Sequence, residues 1–213
     1  MSANTFNLQT SKFLAVIGEN MPEIPSALMQ EWIEHPKDLQ QVLWKALCPL
    51  KNVPRLEFKT WKIVKLGIHK SVKNLSRALT DSEFPIGNCA ARILKKTSLA
   101  TAETEIELVN VSVRDLGFEK SATRVQIYAR ATEYGLNPVP PEVGPQLRLQ
   151  YSDQPLGEWV LMGMKPIMDS DGSLAVFRVV RHDDGQWLSS GDGDPDGMWS
   201  PDSRWAFARR KQK

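Results

Sequence analysis

The chain has 213 residues, 41% of them hydrophobic and 24% charged, with a formal net charge of +2. That size and composition are enough to bury a core in one large domain or two small ones, and they exclude a disordered tail. So small a charge gives no ground for a nucleic-acid partner, and the one basic cluster, Arg209, Arg210, Lys211 and Lys213, is a short terminal tail.

Residues 1–58 read as a helical module. Ala27, Leu28, Met29, Trp32 and Ile33 have helical spacing behind Pro25 and Ser26, and Leu39, Val42, Leu43, Ala46 and Leu47 repeat it over 36–47. Pro36 suits a helix start and Pro49 an end. The apolar stripe over 24–47 is core, or a face for self-association or a docked partner. Residues 51–59, with Pro54, form a linker. Two thiols, Cys48 and Cys89, lack a CxxC partner or metal-ligand spacing, and Met1 to Asn7 has no secretory pattern, so a reducing, cytoplasmic setting is expected. No run approaches the ~20 apolar residues that span a bilayer, so no membrane partner is expected.

Residues 59–213 have an α+β pattern. Residues 61–67 predict a strand ending at Gly67, followed by helices over 71–79, capped by Ser71, and over 85–95. Residues 105–113 alternate with period two, as a half-buried strand does. Ser121 or Thr123 opens a helix that stops at Gly135, and Pro138, Pro140 and Pro141 break the chain after it. Strands are expected over 146–151, 159–164, 174–181, 186–188 and 204–209, with a hairpin turn at Asp169 to Gly172. Helices first and short antiparallel strands afterwards give the α+β class.

The segment 186–209 sets large residues, Trp187, Leu188, Trp199, Arg204, Trp205 and Phe207, among positions that are nearly all Ser, Gly or Asp. No Asn occurs after Asn137. The Asn codon AAC becomes Ser, Asp or Gly when one adenine changes to guanine, so mutation of Asn codons at adenines would leave this composition. Ser, Gly and Asp are also what ordinary turns are made of.

Other chemistry finds less support. Asp192, Asp194, Asp196 and Gly197 match the opening of a calcium loop, but Ser203 stands at the twelfth position, where a bidentate Glu belongs, and Pro195 resists the curl. His35, His69 and His182 are isolated; a hydrolase site built from His182, Asp183 and Asp184 would require a cleft. With no phosphate loop, HExxH pair or zinc spacing, neither metal nor cofactor is expected. Arg124 and Arg130 on the helix after Gly117 are too few for a nucleic-acid recognition helix.

Asp115 to Phe118, Ala122 to Arg124, Ile127 to Arg130, Glu142 to Tyr151, Gly157 to Trp159 and Trp187-Leu188 resemble a widespread family of hypothetical proteins of bacteria, over roughly residues 60–211. Glu142-Val-Gly-Pro-Gln-Leu-Arg-Leu149 is its most distinctive part. Members vary after the Trp-Leu pair and keep the aromatic frame, a behaviour similar to that of the variable proteins of diversity-generating retroelements. There a reverse transcriptase copies a template into the target gene with errors at adenines. The resemblance implies a C-type-lectin-like fold and a non-enzymatic ligand-binding protein. It implies that Ser189, Ser190, Asp192, Asp194, Asp196, Gly197, Met198, Ser200, Asp202 and Ser203 face the ligand while Trp187, Trp199, Trp205 and Phe207 are scaffold. The rival expectation is a regulatory or mobile-element-associated protein without diversification, working through the surface around Arg124, Arg130 and Arg148, or a hydrolase.

Overall fold

A computed structural model describes residues 23–36 and 58–209, with isolated positions at Ala15, Gly18, Glu19 and Leu39. The chain divides into two compact units, Met1–Pro54 and Arg55–Lys213. In the first, helix α1 (Ser26–Glu34) buries none of its residues, and Ile33 is 73% exposed. The stripe expected to be core is therefore uncovered in the described part of that unit. Most of the helix expected over 36–47 and of the linker over 51–59 lies outside the described residues.

The second unit is α+β, with a large, mostly antiparallel sheet. Strand β1 (Lys62–Leu66) ends at Gly67, whose φ of 74° and contact with the Ala102 carbonyl leave no room for a side chain. Helix α2 (Val72–Asp81) is capped by Ser71, whose hydroxyl accepts from the Asn74 amide. Helix α3 (Asn88–Leu94) starts later than its spacing predicts. Pro85 and Gly87 spend their backbone groups on Leu188 instead, with N···O distances of 3.0 and 2.9 Å, so tertiary pairing holds this stretch extended.

Strand β2 (Thr104–Ser112) is followed by the two-residue β3 (Ala122–Thr123) and helix α4 (Arg124–Glu133). Thr123 and Gln126 form a full capping box, and Gly135 at φ 76° lets the chain leave into β4 (Leu136–Asn137). Residues 146–151, expected as a strand, belong to helix α5 (Val143–Gln150) with Tyr151 as its cap. Alternation across 147–151 imitates a strand, but the longer spacing decides: Glu142, Gln146 and Gln150 fall four apart and bind the same neighbouring segment. Pro145 is tolerated in the first turn, where its missing N–H has no helical partner. Six more described strands follow, the first five being β5 (Trp159–Met162), β6 (Ile167–Met168), β7 (Leu174–His182), β8 (Gly185–Asp192) and β9 (Met198–Trp199). The last is β10 (Arg204–Arg209).

The main sheet runs β1-β2-β10-β5-β7-β6, with β4 also on β10 and β8 also on β7; β3 and β9 form a separate pair. The final strand thus lies inside the sheet, antiparallel to β2 and parallel to β5. Strand β8 runs past the expected 186–188 because β7 pairs with it from His182↔Gly185 to Ala175↔Asp192. Ser189 and Ser190 are therefore strand residues.

Helix α5 packs against the Phe177 side of β7, so closely that a Cβ on Gly144 would lie 2.5 Å from that side chain. Helix α4 covers the opposite face, where Tyr128 meets Trp205 and Phe207 edge-on at 5.7 and 5.5 Å. The distinctive Glu142 to Leu149 segment is a buried polar hub. Glu142 Oε1 accepts from the Gly67 amide and Gln146 Nε2, and Oε2 from the Ala100 amide at 2.6 Å. The Gln150 amide closes the free edge of β1 through both Lys65 N and O. Arg148, 0% exposed, binds the Gln154 and Gln186 side chains and the Tyr151 carbonyl and stacks on Phe84.

Candidate functional site: the C-terminal loop face

Between β8 and β10 the chain crosses the end of α4, and that crossing is fastened by main-chain atoms. The Arg124 amide donates to the Gly197 carbonyl at 3.1 Å and the Val125 amide to that of Pro195 at 3.2 Å. The Arg124 guanidinium, 5.0 Å above the Tyr128 ring, donates through Nε to the Gly193 and Asp194 carbonyls at 3.0 and 3.3 Å. Pairing of β3 with β9 sets Ala122 opposite Trp199 and Thr123 opposite Met198. At the far end, Pro201 and Ser203 give their carbonyls to the Arg114 and Val113 amides.

Beneath the crossing lies the aromatic frame. Trp199 meets Trp205 edge-on at 5.1 Å, and Trp205 stacks on Phe207 at 6.4 Å. Tyr128 joins the cluster, its hydroxyl donating to the Met164 carbonyl, and burial pushes its phenol above the ordinary pKa. Trp205 and Phe207 are fully buried and Trp199 partly. Trp187 stands apart, half-buried, its indole N–H donating to Asp184 Oδ1 at 3.1 Å.

From Asp192 to Arg204 exposure alternates strictly. The even positions Asp192, Asp194, Asp196, Met198, Ser200, Asp202 and Arg204 are exposed. The odd positions Gly193, Pro195, Gly197, Trp199, Pro201 and Ser203 are buried or half-buried. A Cβ on Gly193 would lie 2.8 Å from the Leu174 and Ala175 backbone, and one on Gly197 2.5 Å from Asp192 Oδ2. Ser203 is 2% exposed, with its hydroxyl 3.1 Å from that of Ser200, so it belongs to the frame rather than to the surface. Ser189 and Ser190 are half-buried on opposite faces of β8, beside Arg178 and Phe177 respectively.

Three of the four acidic residues of the loop are engaged. Asp192 and Asp194 each accept a backbone amide two residues on, at 2.9 and 2.8 Å, and Asp202 pairs with Arg114. Among the described residues, no three His, Cys, Asp or Glu side chains converge as metal ligands. His182, Asp183 and Asp184 stand exposed at the β7–β8 turn. Arg124 is committed to the loop, Arg130 to Glu133, and Arg148 to the interior, so these three do not compose a surface. The alternation of exposure and the role of Arg124 as a clamp escaped sequence reasoning. The one signal for the clamp was the Thr123–Gln126 capping box, which fixes where α4 begins.

Fold and site together define an α+β protein that carries a polar, backbone-anchored loop on an aromatic frame. Compared with family models, curated proteins and solved structures, the chain matches none. No described helix is long and apolar enough to cross a membrane.

Proposed function

We propose that this chain is a non-enzymatic binding protein whose C-terminal loop face is diversified by a retroelement, on a C-type-lectin-like arrangement of helix α4, the Pro-rich bend and strands β5, β7, β8 and β10. The observation that carries the reading is the strict alternation from Asp192 to Arg204. Exposed side chains alternate with buried ones, and the loop is tied to α4 through its own carbonyls. Such a loop keeps its path whatever the outward side chains are. Where Asp192 and Asp194 do accept amides, Asn or Ser makes the same local turn. The ligand is met by side chains 192, 194, 196, 198, 200 and 202, with Met198, 61% exposed, as the apolar member.

The test is to sequence the DNA flanking the gene for a near-copy of codons 186–209 beside a reverse transcriptase. The expected result is that the two copies differ only where the template has adenine. The differences should fall on codons 189, 190 and the even positions 192–202, and spare Gly193, Trp199, Ser203, Trp205 and Phe207. Absence of such a copy, or differences spread evenly over frame and loop, would overturn the proposal.

A further inference from the structure

Beside the loop, strands β5, β7 and β8 leave part of a face with an unusual set of neighbours. Cross-strand register places Trp159, Val180 and Trp187 in one row and Leu161, Arg178 and Ser189 in the next, all on the side away from α5. Trp159 and Trp187 are half-buried, and two strand spacings, about 10 Å, separate their backbones.

Arg178 lies in the adjacent row, on the strand between the two that carry the tryptophans, with little to hold it. Its guanidinium sits 5.8 Å from the Trp159 ring, and its single hydrogen bond among the described residues, from Nη2 to Ser189 Oγ, is a long 3.4 Å. Its Nε is buried without a partner, and no carboxylate of the described residues pairs with it. Arg92 contrasts with it, pairing with Asp169 and Asp171 at 2.8 and 3.0 Å, and Arg148, whose Nε is likewise unpartnered, differs in meeting three strong acceptors through its other nitrogens. A half-desolvated guanidinium without its acceptors is disfavoured in the free protein, and burial lowers its pKa accordingly. The missing partner is a planar acceptor that engages the guanidinium fork side-on.

We propose that Arg178, flanked by Trp159 and Trp187, is a receptor for a carboxylate carried next to a flat or apolar group of the ligand. The tryptophans supply contact area of the kind that dominates interface hot spots. Asp184, bonded to Trp187, places negative charge at the rim and so favours a monoanionic carboxylate over a doubly charged phosphate. Arg178 and Trp159 lie outside 186–209, and Ser189 lies inside it, so a constant anchor would sit beside an adjustable neighbour.

The test is an NMR titration of the full chain, following the arginine Nε–H and tryptophan indole N–H signals. The probes are sodium benzoate, N-acetyl-glutamate methylamide and inorganic phosphate. Either carboxylate should shift the Arg178 and Trp159 signals saturably, and Arg178→Met should weaken binding at least tenfold. Tighter binding of benzoate identifies a free aromatic acid as the source, and tighter binding of the glutamate derivative identifies an acidic side chain of a partner. Arg178→Lys keeps the charge without the fork and should bind several-fold more weakly than the parent. Arg178→Met should melt within about 2 °C of the parent, because only one weak bond is lost. Phosphate binding as tightly as either carboxylate, no saturable shift, undiminished binding by Arg178→Met, or a large fall in its melting temperature would each overturn the proposal. The probed residues on β5 and β7 are fixed, so this outcome stands apart from the flanking-DNA test of the loop.

Discussion

Glu142 shows how much one residue can carry in this fold. Its two oxygens accept from Gly67, Ala100 and Gln146, so one buried carboxylate joins the end of β1, the approach to β2 and helix α5. Glu142→Gln keeps the size but turns one oxygen into a donor facing a donor. Leaving a buried group unsatisfied in this way costs about 1–3 kcal/mol, which should appear as a lower urea midpoint with unchanged slope. Asp169 tests electrostatics at the same scale. The hydrogen bond from Arg92 holds its carboxyl below the ordinary carboxylate range, aided by the Asp171 and Ser173 amides. A depressed folded pKa means that the unfolded chain binds more protons in acid. The stabilisation is therefore complete above the unfolded value, about 3.9, and is lost as pH falls through the folded one. Denaturant titrations from pH 6 to pH 2 should show the parent losing stability more steeply below pH 4 than Asp169→Asn.

At the scale of elements, α4 and the loop behave as one piece, since Arg124 holds the carbonyls of Gly193 and Asp194. Arg124→Met should loosen the 193–194 end of the loop while leaving the main-chain ties to α4 and the sheet intact. Limited proteolysis would then cut around 193–194 faster, with the melting temperature only a few degrees lower. The reverse experiment replaces Asp196 and Met198 together by Tyr and Asn, leaving Ser200, whose hydroxyl meets that of buried Ser203. Each such surface change alters stability by about 0.5 kcal/mol or less, so melting should hardly move, whereas Ser203→Tyr should prevent folding. The elements that the sequence disclosed were those with local signals, such as the Ser71 cap, the helix start at Ser121 or Thr123 and the period of β2. Helix α5 was misread because its strand-like alternation hid the four-residue spacing of Glu142, Gln146 and Gln150, whose partners are remote in sequence. The start of α3 was missed for a similar reason, since only Leu188 holds Pro85 and Gly87 extended. The loop's frame was legible from its tryptophans, but the parity of its exposure depends on backbone bonds to Arg124 and Val125 that no local pattern records.

At the scale of the molecule, the sheet is closed by its last strand. Phe207 pairs with Val109 and Trp205 with both Val111 and Leu161, so β10 supplies hydrogen bonds on both edges and much of the aromatic core. A chain ending at Pro201 would leave β2 and β5 without their shared neighbour. It is expected to show no cooperative melting and to expose apolar surface that binds a hydrophobic dye. Because β10 follows the loop in sequence, the fold would also act as a reading-frame check on diversification of the kind proposed above. A stop or a frameshift inside codons 189–202 never delivers the closing strand, and the faulty product is left to proteolysis. Substitutions at the exposed even positions of the same stretch would pass through to the surface. The order of the chain thus separates tolerated change from damage without any dedicated inspector, and a population of variants drawn from such a gene would be enriched in members that fold.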